Sequence, residues 1–253
     1  MKAFITGASS GIGAALAAHY AARGAQLGLV ARRREALADI ARGLPGEPAL
    51  YVADVADARA MRDAAQDFIA RFGLPDIVIA NAGISVGTLT EHAEDIEVLG
   101  RVLQTNVVGL AATFQPFVAP MCAARRGTLA GIASVAGMRG IPGAGAYSAS
   151  KAAAITYLEA LRIELKPCGV KVVTVCPGYV ATPMTAVNKY RMPFILPADV
   201  AARRISRVID AGRRYAVVPW QMALVARAMK LLPNAAYDRL FRRAGRKPRG
   251  LKL

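Results

Sequence analysis

Tyr147 and Lys151 lie four residues apart in the stretch Tyr-Ser-Ala-Ser-Lys. The stretch opens a run that reads as a helix, with Ala149, Ala152, Ala153, Ala154, Ile155, Leu158 and Leu161. Residues i and i+4 share one helical face, so the spacing sets an ammonium near a phenol. An ordinary phenol titrates at about 10 and is a poor acid or base at neutral pH. A neighbouring cation favours the phenolate and draws the group toward the working range. The pair suits proton transfer, but many helices carry it by chance, and the rest of the chain has to decide.

A second stretch, Thr6-Gly7-Ala8-Ser9-Ser10-Gly11-Ile12-Gly13, follows a short apolar run at Lys2–Thr6. Its spacing is GxxxGxG. Glycines there let the chain turn tightly and let backbone N–H groups approach a pyrophosphate near a helix N-terminus. The end of the next apolar run reads Val30-Ala31-Arg32-Arg33-Arg34. A carboxylate at this place would bind the ribose 2′-hydroxyl of NAD(H). None is present, and guanidinium groups suit a phosphate, so Arg32 and then Arg33 predict NADP(H) in preference to NAD(H). The alternative is a solvated basic helix start. Asp54-Val55 stands where a short polar side chain and backbone can reach an adenine edge. Asn81-Ala82-Gly83 stands at the rim the cofactor would pass.

These stretches need a frame that brings them together. Apolar, strand-like runs occur at 2–6, 26–30, 49–53, 77–80, 127–133, 170–176 and 215–218, seven in all. Helical patterns separate them at about 12–23, 33–43, 57–72, 95–124, 147–166 and 198–211, and Asp57 reads as an N-cap. Strands that alternate with helices and are apolar throughout predict a parallel sheet covered on both faces. The fold class is therefore α/β, a single-domain, Rossmann-like, doubly wound sheet with ligands at the carboxyl ends of its strands. Residues 1–218 form this domain, and 219–253 are a basic amphipathic extension of it.

Composition limits the alternatives. The chain has 253 residues, 55% of them hydrophobic, and no linker or repeat divides it. No run of about 18 uncharged apolar residues suggests a transmembrane helix, and the first residues have no signal-peptide architecture. Cys122, Cys168 and Cys176 show no metal-ligand spacing and are expected as free thiols in a reducing cytoplasm. His19 and His92 pair with no carboxylate or cysteine pattern, so neither a metal site nor a histidine-based triad is expected. The net charge of +16 is uneven, because residues 200–253 carry 14 basic and two acidic side chains.

The chain resembles the short-chain dehydrogenase/reductase family of about 250 residues. The matching elements are Thr6–Gly13, Asp54, Asn81-Ala82-Gly83, Asn106, Ser134, Tyr147-x-x-x-Lys151, and Pro177-Gly178 with Thr182. They run in the family's order over about residues 1–218. The resemblance implies interconversion of a carbonyl and a secondary alcohol by hydride transfer. Tyr147 would be the acid or base, Lys151 would hold the nicotinamide ribose, and Ser134 would hydrogen-bond the substrate oxygen. Asn106 would hold a water linking Lys151 to solvent. Gly7, Ser9, Ser10, Gly11, Ile12, Gly13, Arg32, Arg33, Asp54, Val55, Asn81, Ala82 and Gly83 would contact the cofactor. So would Tyr147, Lys151, Pro177, Gly178, Val180 and Thr182. The family also implies a homodimer or homotetramer through the 95–124 and 147–166 helices.

Ser85, Val135, Met138, Tyr179, Met184 and Met192 are candidates to line the substrate pocket beside Ser134 and Tyr147. Their character suits an apolar alcohol or ketone. The loop 182–197, with three prolines, stands where the family places a mobile lid. Beyond it, Met222, Val225, Met229 and Leu232 recur at helical spacing near Trp220, with a second helical piece at 235–244. Seven basic residues and no acid follow from Arg239 onward. This segment either lies on an anionic membrane surface or packs on its own domain or a partner with a solvated basic tail. No aromatic-interleaved platform supports nucleic acid. The expected place is the cytoplasm, including the inner face of a membrane. A catalytically idle sensor or scaffold on the same fold is a competing class, one that would normally have lost Tyr147, Lys151 or Ser134. A membrane-attached reductase of lipid-like substrates is another.

Overall fold

The computed structural model describes residues 1–242 and 244–250. Its strands are β1 (Lys2–Thr6), β2 (Gln26–Ala31), β3 (Ala49–Val52), β4 (Ile77–Ala80), β5 (Thr128–Ile132), β6 (Lys171–Pro177) and β7 (Tyr215–Val218). They form one seven-stranded sheet in the order β3-β2-β1-β4-β5-β6-β7, with every neighbouring pair parallel. The order reverses between β1 and β4. This is the switch point of a doubly wound sheet, where the connections diverge and leave a crevice.

The helices are α1 (Gly11–Ala21), α2 (Arg34–Arg42), α3 (Ala58–Phe72), α4 (Glu94–Leu103), α5 (Gly109–Ala123) and α6 (Gly145–Glu164). They continue with α7 (Pro183–Ala186), α8 (Ala198–Asp210), α9 (Trp220–Leu231) and α10 (Asn234–Phe241). Side chains alternate along each strand, so the sheet has two cores. Ala3 and Ile5 of β1 pack with Leu16 and Tyr20 of α1 and Ile205 of α8. Phe4, between them, points to the other face, where its ring meets Phe68 of α3 at 5.6 Å and Phe117 of α5 at 5.0 Å. Burial on both faces is the reason the strands read as continuous apolar runs.

Some expectations change in the structure. The helix expected over 95–124 is α4 and α5 joined by a π-helical turn at Gln104–Val108. Together, Glu94–Ala123 is long and apolar enough to cross a membrane by length and composition. It packs as a core helix against α3, β4 and α6, with 44% of its most apolar window buried. The irregular loop after β6 contains the short helix α7, capped by Thr182 and Thr185. The three cysteines are not all free. Cys122, in α5, and Cys168, in the 3-10 turn after α6, form a disulfide with Cα atoms 4.9 Å apart, and Cys176 is the buried free thiol. Tertiary packing brings together residues 46 apart, which spacing alone does not reveal.

The C-terminal segment packs on its own domain. Met222 of α9 is buried against Gly178. The Tyr237 hydroxyl of α10 donates to the Gly140 carbonyl at 2.7 Å. Arg139 donates to the carbonyls of Met229 and Leu232, each at 2.6 Å, and its guanidinium lies 4.0 Å from the Tyr237 ring centroid. Two basic residues of the tail are engaged, while Arg239, Arg242 and Arg246 are exposed; Arg243 and Lys252 lie outside the described residues. Lys247 is buried, and Arg249 pairs with Glu94 and Asp95.

Candidate active site

The carboxyl ends of β1, β2, β4, β5 and β6 open onto one cleft of about 310 Å³. The turn after β1 forms its floor. Gly7 and Gly11 have φ of 68° and 57°, the left-handed region that glycine reaches without strain. A Cβ on Gly13 would run into the Gly7 carbonyl, so the turn closes only with glycine there. Thr6 and Asn81 fix the turn to the end of β4. The Thr6 hydroxyl accepts the N–H groups of Asn81 (3.1 Å) and Ala82 (3.3 Å). The Asn81 amide donates to the Thr6 carbonyl (3.0 Å) and the Gly7 carbonyl (3.3 Å).

Arg32 and Arg33 flank one end of the cleft. Arg32 pairs loosely with Asp54 at 3.6 Å, and Arg33 reaches the Ser9 hydroxyl at 3.5 Å. Both guanidinium groups stay largely solvent-facing and close to the glycine turn. Asp54 accepts the Ala56 N–H at 2.9 Å, which shapes the turn after β3.

At the other end stand Ser134, Tyr147 and Lys151. Ser134 follows β5 and caps a 3-10 turn at Val135–Gly137, its hydroxyl accepting the Ala136 N–H at 3.1 Å. Gly137 lets this turn lie against the backbone of α6, since a Cβ there would stand 2.6 Å from the Lys151 carbonyl carbon. Ser134 is thereby set beside Tyr147, one turn before Lys151. Burial raises the Tyr147 pKa above the ordinary phenol range, and a hydrogen bond with Ser134 partly offsets this. Burial lowers Lys151 to about 8, opposed by the Cys176 thiol. The Lys151 ammonium donates to the Ile132 carbonyl at 2.8 Å and lies 5.7 Å from the Tyr147 ring centroid. Desolvation, and not the expected lowering by Lys151, sets the direction of the Tyr147 shift.

Asn106, on the π-helical turn, is buried and spends its side chain locally. Its Oδ1 accepts the Ile84 N–H (2.8 Å), and its Nδ2 donates to the Ile84 carbonyl (3.0 Å) and to Ser150 (2.9 Å). It sets the loop after β4 rather than lining the cleft. Gly13 does not line the cleft either. Ser9, Ser10, Ile12, Val55, Gly83, Pro177, Gly178, Val180, Thr182 and Met184 all line the cleft. Ser85, Met138 and Tyr179 do not; Met138 accepts a hydrogen bond from Tyr215, and Tyr179 faces Tyr190 at 6.3 Å. Sequence reasoning missed Thr105, Pro183 and Thr185, which also line it. The Thr-x-x-Thr capping pattern was a readable signal for Thr185, whose hydroxyl donates to the Val180 carbonyl at 2.6 Å. Thr105 carries no such mark.

The glycine cradle, the basic end and the lining drawn from five strand ends fit a dinucleotide. A family model described as short chain dehydrogenase matches residues 1–192. A protein of Myxococcus xanthus described as an uncharacterized oxidoreductase is 39% identical over 246 residues, 95% of this chain and 96% of the relative. An 11-beta-hydroxysteroid dehydrogenase-like protein of Arabidopsis thaliana is 37% identical, covering 85% of this chain and 72% of the relative. Among solved structures, an alcohol dehydrogenase of Thermococcus sibiricus complexed with 5-hydroxy-NADP matches with a TM-score of 0.75 at 26% identity. That match covers 86% of this chain and 95% of the other. The chain belongs to the short-chain dehydrogenase/reductase family. It is an oxidoreductase of that family, acting on CH–OH donors with a nicotinamide dinucleotide.

Proposed function

We propose that the protein is an NADP(H)-dependent oxidoreductase that interconverts an apolar ketone and its secondary alcohol, with Tyr147 as the acid or base. The observation that carries this reading is one continuous cleft with Arg32 and Arg33 at one end and Ser134, Tyr147 and Lys151 at the other. The bound nicotinamide supplies or accepts the hydride. The N–H groups of the Gly7–Gly13 turn suit a pyrophosphate, and the guanidinium groups of Arg32 and Arg33 suit a 2′-phosphate. Tyr147 gives its proton to the carbonyl oxygen as charge develops there, and Ser134 holds that oxygen by hydrogen bonding. A phenol held above its ordinary range keeps its proton at neutral pH and serves as an acid. Alcohol oxidation needs the phenolate and is favoured by alkaline conditions. Lys151, turned toward ribose hydroxyls, would place its charge beside the phenol. Asn106 acts on the water path to Lys151 through the loop it fixes. The assembly proposed is a homodimer or homotetramer built on α4, α5 and α6.

Two substitutions test the reading. Tyr147→Phe is expected to lower turnover by about 10³-fold or more with NADPH binding within about threefold of wild type; retained turnover would defeat the mechanism. Arg32→Ala is expected to weaken NADPH by about tenfold or more and leave NADH nearly unchanged. Equal effects on the two cofactors would remove Arg32 as the selector.

A second reading, attachment to an anionic membrane surface from the cytoplasmic side, has one observation in its favour. Trp220, Leu224 and Leu231 of α9 are 65%, 55% and 83% exposed on one helical face, and Leu240 of α10 is 66% exposed. Arg227 and Lys230 flank them, an arrangement suited to anionic headgroups. Sedimentation with vesicles rich in phosphatidylserine is expected to pellet the wild type and to release Trp220→Ser/Leu231→Ser. Equal pelleting of the two would sink this reading.

A further inference from the structure

One hydroxyl ties two walls of the cleft together from behind. Ser150, in the second turn of α6, is fully buried and does not line the cleft. Its hydroxyl donates to the Tyr147 carbonyl at 2.8 Å and accepts the Asn106 amide at 2.9 Å. Asn106 is buried too, and its side chain has two donor hydrogens and one oxygen to place. The oxygen takes the Ile84 N–H at 2.8 Å, and the second hydrogen goes to the Ile84 carbonyl at 3.0 Å. One side chain thus holds both backbone groups of Ile84.

The chemistry of the groups fixes the direction of each bond. The Ile84 N–H needs an acceptor, so the amide oxygen faces it and the amide nitrogen is left for Ser150. A side-chain amide nitrogen donates and does not accept, so the single hydroxyl hydrogen of Ser150 goes to the Tyr147 carbonyl. The result is one directed chain from the Ile84 backbone through the Asn106 amide and the Ser150 hydroxyl to Tyr147. Helical bonding pairs the same carbonyl with the Lys151 N–H, four residues on. The chain therefore ends on the turn that carries both Tyr147 and Lys151. It begins in the loop after β4, where Ala82, Gly83 and Ile84 line the cleft. The two walls also converge at Gly83. A Cβ there would stand 3.1 Å from Asn106 Oδ1 and 3.6 Å from the Lys151 ammonium.

We propose that Ser150 is a positioning residue for the reaction, the link that sets the Tyr147 turn against the loop after β4. The Asn106 bond is what separates it from an ordinary helix serine. Thr156 makes the same kind of backbone bond in α6, to the Ala152 carbonyl at 3.2 Å, but it is exposed. Removing the Ser150 hydroxyl leaves an Asn106 N–H buried without its acceptor. Such a group is relieved by admitting water or by a shift of the turn. Either change reaches Tyr147 and the carbonyl oxygen it would protonate. The inference rests on the reading of Tyr147 as the acid or base, but its first test does not.

Hydrogen exchange at the Ile84 N–H, followed by NMR on the full-length protein without cofactor or substrate, tests the tie. Ser150→Ala is expected to speed this exchange by at least about tenfold, and Thr156→Ala by no more than about twofold. An unchanged rate at Ile84, or equal rates in the two variants, would overturn the tie. The positioning role is read from steady-state kinetics with NADPH and a ketone that the wild type reduces. Ser150→Ala should lower kcat by about tenfold or more, with the KM for NADPH within about twofold of wild type. Adding Ser150→Ala to Asn106→Ala should cost little further, because the two side chains act as one link. A wild-type kcat in Ser150→Ala, or losses that simply add, would overturn the positioning role and leave the reaction reading intact. A wild type that reduces no ketone, with Ile84 exchange still governed by Ser150, would sink the reaction reading and leave the tie standing.

Discussion

Lys151 shows how a single side chain couples function to stability. Its ammonium is 4% exposed, has one backbone carbonyl for a partner, and titrates near 8 because burial disfavours the charge. Below that value folded and unfolded chains both hold the proton, and the full cost of the buried charge is present. Between about 8 and 10.5 the unfolded chain keeps a proton that the folded chain has lost, so stability rises with pH in this window. Comparing wild type with Lys151→Met by chemical denaturation should show the difference moving in favour of wild type from pH 8 to 10, by at most about 3 kcal/mol. A difference flat with pH would mean that the amine is better solvated than its surroundings imply. Gly13 makes a sharper case. Gly13→Ala sets a methyl against the Gly7 carbonyl and within 2.5 Å of Asn81 Nδ2, displacing the Thr6–Asn81 tie. A loss of about 1–3 kcal/mol in stability is expected, accompanied by weakened NADPH binding in a fluorescence titration.

Helices and strands divide the work between support and chemistry. Phe68 of α3 is fully buried between Phe4 and Phe72, and a Cβ on Gly28 would strike its ring, so the site cannot collapse around a smaller side chain. Phe68→Ala is expected to cost about 3–5 kcal/mol in a urea melt while NADPH binding in the surviving folded protein stays near wild type. Most of this layer was legible from the residues. Strand periodicity located all seven strands within a residue or two, Asp57 does cap α3 with bonds to Arg59 and Ala60, and the glycine turn lies between β1 and α1. What stayed hidden depends on tertiary contact. The π-helical turn at 104–108 has the composition of an ordinary helix. Asn106 reads as a site residue, yet its amide is consumed by Ile84 and Ser150. The Cys122–Cys168 bond and the docking of Arg249 onto Asp95 join residues 46 and 154 apart, and local pattern is silent at such distances.

The assembled molecule still exposes apolar surface on the helices proposed to carry the oligomer. Ile96 of α4, Val108 at the π-helical turn and Ile163 of α6 are 59%, 45% and 61% exposed. Isolated surface apolar residues are common, so whether these three belong to the proposed contact is decided by substitution. Val108→Glu is expected to shift the species seen by analytical ultracentrifugation toward monomer without unfolding it; an unchanged sedimentation coefficient would remove these helices as the contact. The charge is distributed by part as well. Arg249 pairs with Glu94 and Asp95 and Lys247 is buried, so not every C-terminal basic group adds to the free positive surface. The tail has a further consequence. The family model matches residues 1–192, whereas residues 244–250 lie outside it and still reach Met184, which lines the cleft. A change confined to the end of the chain can therefore be felt in the cleft without altering Ser134, Tyr147 or Lys151.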